Sequence, residues 1–195
     1  MVTSLGLADV VAKALGVPGP TVVQHLRNLQ KDGRISFKGY GRGAARMGPH
    51  DAASLLLAAV GSDLVKDSLA TLDSFGSLRP IRSGDSSSGV TFLDHLTSLL
   101  TTIAADGGAS GPADPPIAFR LVSAAGGVVK TPLPRLIFSR WGFRLRGMLS
   151  FAPAGWNKPM RSEEQFAALL RSSGSGLVRT SLVTIEALEK VAGCL

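Results

Sequence analysis

The segment Gly16-Val17-Pro18-Gly19-Pro20 interrupts a helical pattern and constrains the fold more than any other short stretch of the chain. Before it, the apolar residues of SLGLADVVAKALG recur at helical spacing, with Ser4 as the predicted N-cap and Gly16 at the end. Proline fixes its own φ and disfavours a helical residue before it, so the chain must turn before Pro20 opens the next helix. The sequence therefore predicts two helices joined by a tight turn.

The second predicted helix has one apolar and one polar face. Val22, Leu26 and Leu29 fall at i, i+4 and i+7 and form the apolar face. A separate stripe carries side chains that donate hydrogen bonds, and Arg27 lies at its edge. The members of that stripe are Thr21, Gln24, Asn28 and Lys31.

A basic hairpin is predicted to follow this helix. Asp32-Gly33 ends the helix, and the residues from Arg34 to Lys38 alternate as a strand does. The turn at the tip of the hairpin is Gly39-Tyr40-Gly41-Arg42-Gly43, and a short return strand runs through Ala44 to Met47. The pattern thus places a helix with hydrogen-bonding groups next to a hairpin rich in positive charge.

The stretch from Leu7 to Lys38, about the first quarter of the chain, resembles the winged helix-turn-helix superfamily of DNA-binding domains. The resemblance rests on small Ala12, on Gly16 four residues later, and on HLRNLQKDGRI as the end of a recognition helix that leads into the wing strand. It implies that the second helix enters the major groove while the wing lies against the phosphate backbone. The DNA-binding residues that it implies are Thr21, Gln24, Arg27, Asn28, Lys31, Lys38, Tyr40, Arg42 and Arg46.

The family usually has a further helix before this pair, whereas here only Met1 to Ser4 precede it. Another element must then cover the apolar face of the first helix. We expect either the strongly apolar helix from Pro49 to Val60 or a partner subunit to do so. A homodimer would also present two copies of the recognition helix to paired half-sites.

The succession of helical and strand-like patterns in the remaining chain predicts an α+β fold with an antiparallel sheet in its C-terminal part. Residues 1–75 would form the winged helix-turn-helix with supporting helices, and residues 76–90, rich in Ser, Gly and Pro, a linker. Residues 91–195 would form a mixed α+β domain for regulation or assembly. The elements expected in these parts are helices at 49–60, 62–75, 92–103, from Ser162 and from Thr184, and strands in IAFRLVSA, GGVVKTP, RLIFS, FRLRGMLSF and 177–185.

The net charge of +7 is unevenly distributed along the chain. Residues 1–50 carry +5, residues 51–116 carry −5 and residues 117–195 carry +7. Two basic blocks suggest a polyanionic partner, although charge of this kind also serves solubility. In the second block, strand alternation places Arg140, Arg144 and Arg146 on one face, which could follow a phosphate backbone or pair with the acidic middle segment.

The sequence offers little support for catalysis, cofactors or a membrane span. His25, His50 and His95 have no spaced partners, and the phosphate-binding motif GxxxxGK[ST] is absent. His95 lies beside Asp94 on the polar side of its predicted helix, and we expect it at the surface. A single cysteine, Cys194, excludes an internal disulfide and a thiolate metal cluster. No apolar run approaches the roughly 20 residues that a bilayer requires. We therefore expect a cytoplasmic protein that is not an enzyme and holds no cofactor or metal.

Together these features predict a sequence-specific regulator of transcription that binds double-stranded DNA, similar to small bacterial or phage regulators. The alternative is an interaction adaptor, associated with polymerase or a phage packaging machine, whose winged helix contacts protein.

Overall fold

The computed structural model describes residues 2–37, 45–80, 90–105, 117–124, 136–140, 148–152 and 178–195. In these ranges the chain forms an α+β fold. The α-helices are α1 (Ser4–Leu15), α2 (Gly19–Lys31), α3 (Pro49–Gly61), α4 (Ser68–Gly76), α5 (Phe92–Ala105) and α6 (Ile185–Ala192). A 3-10 turn spans Val65–Asp67, and the strands are β1 (Arg79–Pro80), β2 (Ile117–Ala124), β3 (Leu136–Arg140), β4 (Met148–Ala152) and β5 (Val178–Thr184).

The predicted pair of helices and the tight turn between them are confirmed. Gly16 ends α1 with a φ of 65°, a left-handed conformation that an L side chain rarely adopts, and the Val17 N–H donates to the Ala12 carbonyl. At the start of α1 the N-cap is Thr3, not the predicted Ser4, because the Thr3 hydroxyl accepts a hydrogen bond from the Gly6 N–H at 3.3 Å.

The strand predicted from Arg34 does not form a ladder within the described residues 34–37. The Arg34 N–H donates to the Leu29 carbonyl at 2.9 Å, and the Ser36 N–H donates to Asp51 at 3.0 Å. These bonds use backbone donors that a ladder would need. The return segment does pair, since Arg46 forms an isolated antiparallel bridge with Thr3. The predicted hairpin tip, residues 38–44, lies outside the described residues.

Helix α3 lies where the sequence predicts it, but α4 begins later than the predicted Ser62. Ser62 and Leu64 have extended backbone angles, and the 3-10 turn Val65–Asp67 follows before α4 starts at Ser68. The Ser68 hydroxyl donates to the Val65 carbonyl and holds this turn against the first turn of α4. In place of the single helix predicted at 62–75, the chain therefore forms an extended start, the 3-10 turn and α4.

The five described strands form one antiparallel sheet in the order β1-β4-β3-β2-β5. The predicted strands IAFRLVSA, RLIFS and 177–185 are confirmed as β2, β3 and β5, with ends shifted by up to a few residues. Helix α5 packs on the sheet through Phe92, whose ring meets Phe119 of β2 and Phe151 of β4 edge-on at 5.5 and 5.1 Å. GGVVKTP and the helix predicted from Ser162 lie outside the described residues.

Buried apolar side chains from both sides of the predicted linker belong to a single cluster, which includes Leu7, Leu55, Phe92 and Leu188. Leu78 is also buried, and its carbonyl accepts from the Phe92 N–H at 2.8 Å. Residues 76–80, the first part of the predicted linker, are thus part of the folded body and include β1. Residues 81–89 lie outside the described ranges, and the division into domains stays a prediction.

Helix α1 packs to a similar extent against α2 and against α6, the last helix of the chain, and to a smaller extent against α3. We expected either α3 or a partner subunit to cover α1. Helix α3 does contact α1, but the contact with α6 was not predicted. Thr184 caps α6 as predicted, its hydroxyl accepting from the Ala187 N–H at 3.2 Å, and Leu188 and Val191 are fully buried. Each such side chain contributes roughly 1.5–3 kcal/mol when removed from water.

Candidate nucleic-acid interface

The exposed face of α2 is a single stripe along the helix. Pro20, Gln24, Arg27 and Lys31 are exposed and recur every three or four residues, so they lie above one another. The opposite face is buried in the core and carries Val22, His25, Leu26 and Leu29. Of the predicted DNA-binding residues on this helix, Gln24, Arg27 and Lys31 therefore project outward together.

Asn28 and Thr21 lie at the edge of that stripe and are half-buried. The Asn28 side-chain amide donates to the Val65 carbonyl at 2.8 Å, and its oxygen lies 3.4 Å from the Gln24 amide nitrogen, a weak contact. One N–H of the Asn28 amide is therefore engaged within the protein, and the contact of Asn28 with DNA stays a prediction. Its bond ties the outer edge of α2 to the 3-10 turn.

His25 fastens the inner edge of α2 to α4. Its Nδ1 lies 2.8 Å from the Ser68 hydroxyl, and that hydroxyl in turn donates to the Val65 carbonyl. Because the Ser68 proton is used on Val65, Nδ1 must carry a proton and donate to Ser68. Burial lowers the pKa of His25, which favours the neutral ring at neutral pH. Helix α2 is therefore held at two neighbouring points.

The positive charges on the outer stripe are uncompensated in the part of the chain that the structure describes. Arg27 and Lys31 have no ion-pair partner there. Arg34 differs, because it pairs with Asp32 at 3.0 Å and with Asp73 at 2.9 Å, and the hydrogen bond to Asp32 is the main cause of its raised pKa. Among the described residues, the stripe thus carries two cations that are not engaged in ion pairs, whereas Arg34 is paired with two carboxylates.

The two ends of the predicted wing are both attached to the helical body. Ser36 is bonded to the Asp51 carboxylate at the start of α3, and the other oxygen of that carboxylate accepts from the Gly48 N–H at 2.9 Å. Arg46 is exposed and bridges to Thr3 through the backbone. The other predicted wing residues, Lys38, Tyr40 and Arg42, lie outside the described residues.

The second basic patch is only partly described. Arg140 ends β3 with its Cα opposite Met148, while its side chain and the residues Arg144 and Arg146 lie outside the described parts. Arg179 of β5, which the sequence did not single out, forms an ion pair with Asp63. This pair does join the basic C-terminal block to the acidic middle segment.

His95 is half-buried, although the sequence predicted a surface position. Its ring centroid lies 5.3 Å from that of Phe151 and 6.3 Å from that of Phe92, and burial lowers its pKa. The neighbouring Asp94 accepts hydrogen bonds from the N–H and the hydroxyl of Thr91, and the backbone bond is the main cause of its lowered pKa. Asp94 therefore serves as a helix cap, with its carboxylate directed to Thr91.

Two polar residues near α2 were missed by the sequence prediction. Ser68 was read as an interior residue of a longer helix, and Lys66 of the 3-10 turn was given no role. Nothing in the local pattern identifies them, because both depend on the position at which α4 begins. The bond between Asp51 and Ser36 likewise joins segments that only the fold brings together.

The described residues contain no helix long and apolar enough to cross a bilayer, and no group of three or more potential metal ligands. No protein-family model, curated protein or solved structure matches the chain. The function is therefore inferred from the residues of the interface themselves.

Proposed function

We propose that this protein is a winged helix-turn-helix regulator of transcription that binds double-stranded DNA through α2. The observation that carries the proposal is the exposed stripe of Gln24, Arg27 and Lys31, with its uncompensated charge, on a helix whose other face is buried. Duplex DNA attracts such a stripe because each phosphate that is neutralised releases a counterion.

The stripe combines groups that read bases with one that contacts phosphate. In the major groove, glutamine pairs with adenine and arginine with guanine through two hydrogen bonds each. Gln24 and Arg27 are three residues apart, and the rise between them is therefore about 4.5 Å along the helix. Neighbouring base pairs are stacked about 3.4 Å apart, so the two side chains can reach adjacent steps. Each good contact contributes roughly 1–3 kcal/mol of discrimination.

The wing would add charge beside the helix. Lys38, Tyr40 and Arg42 belong to a segment whose flanking residues are bonded to the start of α3 and to the residue before α1. A basic loop attached at both ends in this way can lie against the backbone with a smaller loss of entropy than a free one. A homodimer would present two such units to a two-fold symmetric site.

The second proposal is an adaptor that contacts protein, and one observation favours it. Phe37, at the base of the predicted wing, leaves 52% of its surface exposed. Large exposed aromatic side chains are typical of protein interfaces. Such a partner would cover Phe37 and would not depend on the charge of the α2 stripe.

Binding of random-sequence duplex DNA at several salt concentrations, measured by fluorescence anisotropy, tests the main proposal. We expect the double variant Arg27→Ala/Lys31→Ala to lower the slope of log K against log salt by roughly 0.9 for each phosphate that the variant no longer neutralises. The matched control is Lys13→Ala/Lys190→Ala, which removes two exposed lysines that pair with carboxylates of their own helices. A wild-type protein without salt-dependent duplex binding, or equal slopes for both variants, would show that α2 is not a DNA-binding surface.

A further inference from the structure

We propose that the 3-10 turn Val65–Asp67 is a second DNA-contacting element, in which Lys66 binds a phosphate and Asn28 holds the turn in position. This inference rests on the proposed function and assigns different roles to two residues near the same site. In this proposal Asn28 positions the turn and does not read bases. Lys66 contacts a phosphate, a role that the sequence pattern does not indicate.

The hydrogen bond between Asn28 and Val65 places the turn beside the exposed stripe. The Val65 carbonyl accepts from the Asn28 amide at 2.8 Å and also from the Ser68 hydroxyl. Covalent geometry then brings the Cα of Lys66 within about 10 Å of the Cα of Asn28. On α2, Asn28 is next to Gln24 one turn earlier, so the turn flanks the stripe on that side.

This distance suits a phosphate contact. A recognition helix occupies a major groove about 12 Å wide, and the phosphates line both edges of that groove. A residue that lies beside the helix, at up to about 10 Å from the Cα of Asn28, can therefore reach the groove edge. The flexible stem and single point charge of lysine suit that position, because a phosphate can be approached from many directions.

The charge of Lys66 is available for such a contact. Its side chain is exposed, and it has no ion-pair partner among the described residues. The nearby acid Asp63 is already paired with Arg179. Asp67 is half-buried and directly precedes α4, where the positive end of the helix dipole favours a carboxylate.

The first test compares Lys66→Ala with Lys190→Ala, both at exposed positions, in duplex DNA binding between about 50 and 200 mM salt. We expect Lys66→Ala to lower the salt slope by about 0.9 and to weaken binding at low salt several-fold, whereas Lys190→Ala leaves both unchanged. A slope for Lys66→Ala equal to that of Lys190→Ala, while Lys31→Ala still lowers it, overturns this inference alone. Absence of duplex binding by the wild-type protein overturns the proposed function as well.

The second test asks whether Asn28 reads bases. Selection of binding sites from random duplex DNA should give Asn28→Ala the same preferred sequence as the wild type, with lower affinity for all sequences, whereas Gln24→Ala loses preference at one position. An altered preference for Asn28→Ala would refute its positioning role. If Asn28→Ala fails to fold, Asn28→Leu, which keeps approximately the size and adds no charge but lacks the donor, takes its place, and the Lys66 comparison stands independently.

Discussion

The carboxylate of Asp51 fastens the segment after α2 to the start of α3, and its removal should be among the most damaging single changes to the N-terminal part. Its two oxygens accept from the backbone N–H groups of Ser36 at 3.0 Å and Gly48 at 2.9 Å. Only 8% of the residue is exposed. In Asp51→Ala both N–H groups lose their partner, and water can replace it only in part because the two bonds are partly buried.

The size of the effect follows from these two bonds. A hydrogen bond to a charged group contributes about 1.5–3 kcal/mol. An acid in the first turn of a helix adds about 0.3–1 kcal/mol through the dipole. Because the two bonds share one side chain and some water will enter, we expect about 3–5 kcal/mol for Asp51→Ala rather than the full sum. Asp51→Asn keeps one acceptor oxygen and should lose about half as much.

Urea unfolding followed by circular dichroism measures this loss of free energy. A change of about 3–5 kcal/mol is a large part of the roughly 5–15 kcal/mol typical of a folded protein, so the midpoint should move strongly. Asp9→Ala is the control, because Asp9 is an exposed acid whose only described partner is Lys13. The reasoning is refuted if Asp51→Ala loses no more stability than Asp9→Ala, or if Asp51→Asn is as stable as the wild type.

Three further predictions concern stability. Leu188→Ala, in the fully buried face of α6, should lower the unfolding free energy by about 2–5 kcal/mol, and a loss below about 1 kcal/mol in urea would show that α6 is not part of the core. Gly16→Ala forces a side chain to a φ of 65° and should cost about 1–2 kcal/mol, and no measurable loss of unfolding free energy in urea would contradict this reason. Burial lowers the pKa of His25 in the folded state, so the unfolded state takes up a proton on this ring at a higher pH. The stability that the neutral ring contributes is therefore complete above a pH of about 6.5 and is lost as the pH falls through the folded pKa. His25→Asn, which keeps a donor near Ser68, should flatten the fall in unfolding free energy between about pH 7 and 5, and an unchanged slope would assign that fall to other groups.

The helix pair could be predicted from the sequence because its determinants are local. Apolar spacing, the prolines and Gly16 act within a few residues, and they define α1, the turn and α2 almost to the residue. The N-cap differs by one position because Thr3 and Ser4 are both able to cap, and only the backbone angles decide between them.

The edge of the interface could not be predicted in the same way. A helical projection places Asn28 close to Gln24 and gives no information on what lies beside it. The position of Val65 decides whether the Asn28 amide is bonded within the protein. That position depends on a break after α3 that the apolar pattern of 62–75 does not reveal. The contact between α1 and α6 was missed for a related reason, since helical periodicity shows that each has an apolar face but not which two faces meet.

Charge along the chain becomes informative once the ion pairs are known. The acidic middle segment supplies Asp73 to Arg34 and Asp63 to Arg179, so one cation of each basic block is neutralised within the protein. These pairs are exposed and add little stability, about 1 kcal/mol at most. In the proposed complex with DNA their effect would be larger, because a paired arginine offers less charge to a phosphate than an unpaired one. Among the described residues 2–37, Arg27 and Lys31 are the cations that no ion pair engages. Removing Asp73 alone would not release Arg34, because Asp32 still pairs with it at 3.0 Å.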